Sequence, residues 1–356
     1  MAERAWPTLR LKRGEGDLMA LGFGLLSAQT RPGESDWSRA YDETVKLAAE
    51  AELLGMSSVW TTEHHFVDDG YMPSLLVVSA ALAAATSEIE IGTGVLLAPM
   101  HQPLRLAEDA ATVELLSSGR LILGLGLGWS GIEFKALGAD KRRRGAAMEE
   151  ILAILPQAWS GRPFQHEGNV YSFPKVAVRP VPSSKIPIVI GGGAEPAIRR
   201  AARLADGIFS NVPTAKFVQQ LGWIRDECDK IGRDPSSLRI IHYSIMLPGA
   251  SEEDAWDYAT RHLWQMMWKY SDMETSASRP GPSPEAPPMA DEDRTKLLGR
   301  STYAGTSEQI VEALHDIREK AGIDVEFVAR SAFPTMEFED QVALMQQLAE
   351  EVAPHL

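Results

Sequence analysis

Glu63, His64, His65 and Phe66 follow a strand-type run, Ser58 to Thr62, without a break. A carboxylate beside two imidazoles can hold, orient and transfer a proton. Histidine is the side chain most readily poised to do so near neutral pH. Position adds to residue type: in a parallel α/β protein, polar residues just past a strand's C-terminal end lie where ligands bind. Either histidine alone reads more simply as a core or surface residue. Three ionisable residues in series shift the balance toward a site. A metal centre is the competing chemistry. Adjacent residues on an extended segment point to opposite faces, so the three cannot easily ligate one ion, and no metal site is expected.

Three glycine-bearing stretches also fall in or after strand-type runs. Gly92-Thr93-Gly94 interrupts an apolar run, which marks a bulge, a close approach to a flat ligand or a tight packing contact. Gly124-Leu125-Gly126-Leu127-Gly128-Trp129 has the spacing GxGxG, so it is not a dinucleotide fingerprint. Small residues there clear space for a planar group, with Trp129 beside it. Gly191-Gly192-Gly193-Ala194 precedes a helix, where free backbone N–H groups and the helix dipole suit a phosphate; a tight turn that merely needs glycine is the plainer alternative. Lys141 to Arg144 is the dense cationic run, either a solvated face or a partner for a polyanionic tail. His101 lies past the third strand, within reach of the same pocket.

The elements that carry these residues alternate. Strand-type segments are 19–27, 58–62, 89–97, 121–127, 186–190, 207–210, 238–247 and 325–330, with helix-type segments between them. Eight such units predict a closed (β/α)8 TIM barrel spanning residues 18–356 as one domain. Residues 1–17 read as a loose arm. Residues 161–182, rich in Pro, Gly and aromatics, read as an insertion hairpin. Residues 271–294 hold Arg279-Pro280-Gly281-Pro282-Ser283-Pro284 and read as a mobile lid loop.

The chain has 356 residues and a net charge of -14. That balance argues against nucleic-acid binding and against docking on an anionic membrane. The single Cys228 excludes an intramolecular disulfide and a cysteine-based zinc cluster. With no apolar run of about 18 residues, a cytoplasmic protein is expected.

Several groups of residues together resemble the bacterial-luciferase-like flavin oxidoreductases, from about Leu21 to the last helix. They are Glu63-His64-His65-Phe66; Gly92-Thr93-Gly94 with Pro99, Pro103, Arg105, Glu108 and Asp109; Ser118-Gly119-Arg120-Leu121; Gly124, Gly126 and Gly128-Trp129; and Gly191-Gly192-Gly193 with Ala205-Asp206-Gly207. The resemblance implies a (β/α)8 barrel with reduced FMN, or its deazaflavin relative coenzyme F420, in its mouth. It implies that His64 is the active-site histidine, its tautomer set by Glu63 or His65. It puts a cis-peptide bulge at Thr93-Gly94 beneath the ring, and the phosphate on Gly191, Gly192, Gly193 and Ala194. Trp129 and His101 fall to the substrate side. Leu127 stands at a cofactor-contacting position where luciferase has an arginine, and Gly126 stands where it has a reactive cysteine. A luciferase proper is therefore not expected. The implied activity is a two-component monooxygenase using reduced FMN and O2 on an apolar organic substrate, served by a separate flavin reductase and acting as a homodimer. The alternatives are F420-dependent hydride transfer on the same scaffold, with Lys141 to Arg144 near the acidic tail; a metal-dependent barrel hydrolase; and a non-catalytic flavin-binding protein.

Overall fold

The computed structural model describes residues 21–290, 292–293, 297 and 301–356. The arm at 1–17, the start of the first strand at 19–20, and positions 291 and 294 of the 271–294 loop lie outside the described residues. The strands are β1 (Leu21–Leu26), β2 (Ser58–Thr61), β3 (Glu90–Thr93), β4 (Leu96–Leu97), β5 (Leu121–Gly126), β6 (Phe164–Glu167), β7 (Ser172–Val176), β8 (Ile188–Gly191), β9 (Gly207–Ser210), β10 (Arg239–Pro248), β11 (Thr302–Gly305) and β12 (Glu326–Arg330). The parallel order β1-β2-β3-β5-β8-β9-β10-β12 returns to β1, which closes the barrel. The expected eight-stranded cylinder is present. The insertion is an antiparallel hairpin, β6 with β7. It is tied to the barrel wall by Glu150, whose carboxylate accepts the N–H groups of Val170 and Tyr171.

Helices α1 (Trp37–Leu53), α2 (Leu75–Ala85), α3 (Pro103–Leu116), α4 (Gly131–Ala136), α5 (Arg144–Trp159), α6 (Glu195–Leu204), α7 (Thr214–Ile231), α8 (Glu252–Ser276), α9 (Ser307–Ala321) and α10 (Phe338–Gln347) follow in chain order. Their start signals are local. The Asp36 side chain accepts from Arg39 N–H ahead of α1, and a reciprocal Thr306–Gln309 capping box opens α9. The longer helices pack around the outside of the barrel, while the short α4 lies at its mouth. A second, smaller core fills the inside: Leu25, Trp60, Ile122, Val189, Phe209, Ile241 and Val328 come from seven of the eight strands. The remaining strand contributes Gly92, where a Cβ would overlap the Trp60 ring. Gly92 thus makes room for packing rather than for a ligand. Trp60, Phe209 and Tyr243 stack in turn at 4.4 and 4.5 Å between ring centres. Such offset pairs add about 0.5–1.5 kcal/mol each beyond their burial.

The third strand segment, read as continuous over 89–97, is broken into β3 and β4. The break is at Gly94–Val95, which carries the cis bond expected one position earlier, at Thr93–Gly94. A second cis bond lies at Gly24–Leu25. Helix α8 runs to Ser276, so the first residues of the expected 271–294 loop are helical. The Pro-rich run after it is pinned. Gly33 N–H donates to Ser283 O (2.8 Å), Ala286 N–H to Gln265 Oε1 (2.6 Å), and Arg279 to Asp272 and Asp68. At the N-terminal end of the barrel, Arg239 on β10 reaches Glu326 on neighbouring β12 (2.8 Å) and Glu90 on β3 across the cylinder (2.9 Å). That bridge seals the floor.

Candidate active site

A cleft of about 380 Å³ opens at the C-terminal ends of the strands. That is within the usual range for a small-molecule site. It runs from His64 and Trp129, past Gly94, Val95 and Leu127, to Gly191, Gly192, Gly193 and Ala194. The imidazole and the glycine turn therefore share one cavity.

His64 follows β2 and is 5% exposed. Its Nδ1 lies 2.9 Å from Glu133 Oε1, which also accepts His65 N–H at 2.9 Å. A carboxylate only accepts, so the ring proton sits on Nδ1 and Nε2 is left for the cleft. Glu133, on α4, sets the tautomer; Glu63 and His65, assigned that task from the sequence, do not. The second oxygen of Glu133 is buried with no hydrogen-bond partner among the described residues. The His64 ring meets Tyr71, Tyr270 and Trp129 edge-on at 4.8, 5.6 and 5.9 Å.

Glu63 turns the other way. Its Oε1 accepts from His65 Nε2 (2.9 Å) and His101 Nε2 (3.0 Å), and its Oε2 from Leu97 N–H (2.5 Å). Burial alone would raise its pKa. The hydrogen bonds and charges of His101 and His65 outweigh that and hold it at about 2. Burial lowers the His101 pKa, and the Glu63 carboxylate more than offsets it, so the net shift is upward. This cluster clamps β2 to the turn that follows β4. His65 and His101 do not line the cleft, because both rings are committed to Glu63. Opposite pointing of adjacent side chains explains why His64 and Glu63 end in separate clusters.

Thr93 is also withdrawn: its hydroxyl bonds Gly124 O and accepts Gly124 N–H, both at 2.8 Å. Val95 stands up between the strands instead. A Cβ at Gly126 or Gly191 would collide with its methyl groups. These glycines make room for the bulge, which presents Gly94 and Val95 as a flat support. At the turn, Gln220 Nε2 donates to Gly192 O (3.4 Å) and Gly193 O (3.3 Å), with Ser210 behind it. The carbonyls are thereby drawn away. Among the described residues, the N–H groups of Gly193 and Ala194, at the start of α6, donate to no backbone acceptor. Residues that fit a phosphate and a planar ring are thus both present. Lys141 to Arg144 do not line the cleft: Arg142 pairs with Asp140, and Arg143 with Asn169 O.

Four cleft or near-cleft residues escaped the sequence reading. Glu133 sits on a helix of six residues too short to show a period. Arg330 ends β12, where the strand-end rule alone points to it. Arg330 Nη2 donates to Tyr270 Oη (2.6 Å), Tyr270 bonds Tyr71 Oη (3.0 Å), and Tyr71 reaches Thr62 Oγ1 (3.4 Å). Burial, reinforced by Tyr270, pushes the Tyr71 hydroxyl well above its ordinary pKa, so it stays protonated. The tyrosines lie on a loop and a helix whose approach to the mouth leaves no local trace.

Among curated proteins, the chain is 33% identical over 144 residues to the oxygenase component of the flavin-dependent trigonelline monooxygenase of Acinetobacter baylyi, covering 40% of each. It is 31% identical over 201 residues to an F420-dependent glucose-6-phosphate dehydrogenase of Kineococcus radiotolerans, covering 54% of this chain and 56% of that one. The matched stretches span about half the length of the curated relatives. Among solved structures, a monooxygenase from Streptomyces bottropensis superposes with a TM-score of 0.80 at 23% identity, covering 95% of this chain and 99% of that one. The FMN-bound oxygenating constituent of 3,6-diketocamphane monooxygenase from Pseudomonas putida gives 0.75 at 20%, covering 95% and 99%. These two carry the fold. The model of the family described as luciferase-like monooxygenase matches residues 21–325, and the chain belongs to that family.

Proposed function

We propose that this chain is the oxygenase component of a two-component monooxygenase, using reduced FMN from a separate reductase and O2 to oxidise an organic substrate with an apolar body. The observation that carries the reading is that the free Nε2 edge of His64 and the amide turn at Gly193 and Ala194 line the same cleft. The turn would hold the phosphate, and Gly94 and Val95 would support the ring. When bound, the reduced flavin supplies the electrons that activate oxygen. His64 holds or delivers a proton at Nε2, with Glu133 stabilising the imidazolium that forms. Trp129, 43% exposed at the cleft edge, and Tyr243 and Tyr270 in the same lining receive the apolar part of the substrate. A dimer is supported by α2, which has no charged residue and leaves Val77 73% exposed.

The second reading is F420-dependent hydride transfer. Its support is the longer alignment with an F420-dependent relative, together with the Lys141 to Arg144 run. Titration of the full chain with FMN, reduced FMN and F420, followed by oxygen-consumption assays, separates the two. Oxygen uptake with reduced FMN and substrate is expected. Anaerobic turnover with reduced F420, and none with reduced FMN plus O2, would overturn the first reading.

A further inference from the structure

Two arginines are built into the barrel, and they are partnered in opposite ways. Arg239 at the floor is 26% exposed and meets two carboxylates, Glu326 and Glu90. Arg330 in the mouth is 6% exposed, and among the described residues the ionisable groups that face it are the tyrosines Tyr270, Tyr71 and Tyr243, with no carboxylate. Its Nη2 donates to the Tyr270 hydroxyl at 2.6 Å and lies 3.8 Å from Met266 Sδ. Its guanidinium carbon is 5.4 Å from the centre of the Tyr270 ring. Its Nε–H is buried with no acceptor among the described residues. A buried cation is retained at a stability penalty unless paired and hydrogen-bonded, and a neutral tyrosine oxygen does not balance its charge. The chain carries 49 acidic residues and uses none of the described ones here.

Arg330 lines the same cleft as His64 and the glycine turn. It is not placed for the cofactor's phosphate. The turn belongs to β8, which lies three strands from β12 around the barrel, with β9 and β10 between. His64 is nearer in that order, since only β1 separates β2 from β12. Tyr270 joins them, touching the His64 ring edge and the Arg330 guanidinium. The wall thus offers a guanidinium beside aromatic rings, with Tyr270 between it and the His64 imidazole. A guanidinium fork matches a carboxylate in shape as well as charge.

We propose that Arg330 binds an anionic oxygen group of the substrate, a carboxylate, so that the substrate of this cleft is an organic acid whose carbon body packs on Trp129, Tyr243 and Tyr270. This deepens the oxidoreductase reading, and it rests on that reading in assigning the anion to substrate rather than cofactor.

The test uses acid–amide pairs of equal size: acetate with acetamide, benzoate with benzamide, cyclohexanecarboxylate with its amide. Each is titrated into the full chain, with and without FMN, by calorimetry. In the wild type at least one acid binds tenfold or more tighter than its amide. In Arg330→Met that preference disappears while FMN affinity stays within twofold. Arg330→Lys, which keeps the charge but loses the fork, retains part of the preference and covers the case in which the methionine variant fails to fold. The proposal is overturned if no acid outbinds its amide, if the preference survives Arg330→Met, or if that variant weakens FMN instead. A chain that binds neither FMN nor F420 but keeps the acid preference would end the functional reading above and leave Arg330 as an anion site.

Discussion

The two ends of the barrel hold the same kinds of residues under different rules. At the floor, Arg239 and its two carboxylates satisfy one another and leave nothing over. At the mouth, groups keep valences that no described residue uses: His64 Nε2, Glu133 Oε2, Arg330 Nε and the amides of Gly193 and Ala194. Buried polar groups are normally paired, because an unpaired one forfeits about 1–3 kcal/mol. Unpartnered buried atoms also occur elsewhere among the described residues, such as Ser79 Oγ on α2 and Arg318 Nε and Nη2 on α9. What marks the mouth is that its exceptions line or adjoin one cleft. Variants at the mouth should change chemistry more than folding, and variants at the floor the reverse.

The largest effect is expected at His64. His64→Ala should lower turnover by about 10²–10⁴-fold, the range for loss of a positioned acid–base group, while thermal unfolding moves little. Full turnover in that variant would break the distinction at its strongest point.

Glu63 sharpens the comparison, because it lies in the mouth yet is fully partnered like a floor residue. Glu63→Gln should destabilise by about 2–3 kcal/mol, from charge-assisted hydrogen bonds, measured by denaturant unfolding across pH. The folded carboxyl titrates at about 2, below its ordinary 4.5, so its contribution is present above about 4.5 and fades as pH falls toward 2. His101 is raised above its ordinary 6.5, so its contribution is full below about 6.5 and fades as pH climbs through the raised value. The wild-type advantage should therefore be greatest between about pH 4.5 and 6.5. Taking the difference between the two proteins cancels Asp69, whose carboxyl is pushed up to about 6, chiefly by burial. A pH-independent difference would refute the clamp.

Ala194→Asp separates binding from stability at one position. Aspartate at a helix N-cap should leave α6 as stable or more so. Placed against a phosphate, it should weaken the cofactor about tenfold, a penalty of roughly 1.4 kcal/mol. Calorimetric titration and a melting curve read the two separately; unchanged affinity would remove the turn from the site. The smallest effect belongs to the floor. Arg239→Met leaves Glu90 and Glu326 side chains that are 41% and 44% exposed and can rehydrate. The expected loss is about 1 kcal/mol in unfolding free energy, with turnover unchanged.

The alternation of strand and helix was legible because buried parallel strands are short apolar runs and their covering helices carry a 3.6-residue stripe. β11 was not. It is four residues long and pairs outside the cylinder, with the upper half of β10, where Ile245 to Pro248 extend past the residues that pair with β12. The division of 89–97 at Gly94–Val95 was hidden too, since an apolar run reads the same whether straight or bulged. In the site, His64 and the glycine turn were visible because both sit at strand ends. The partner of His64 was not, because Glu133 lies 69 positions away and meets it only through the fold. Chain adjacency pointed instead to Glu63 and His65, which serve the clamp.

The seam between β1 and β12 joins the first of the eight barrel strands in the chain to the last of them. A nascent chain cannot seal until Arg330 has left the ribosome, and until then two strand borders stay open to other chains. Truncation before Glu326 would yield an adhesive sheet and never a smaller enzyme.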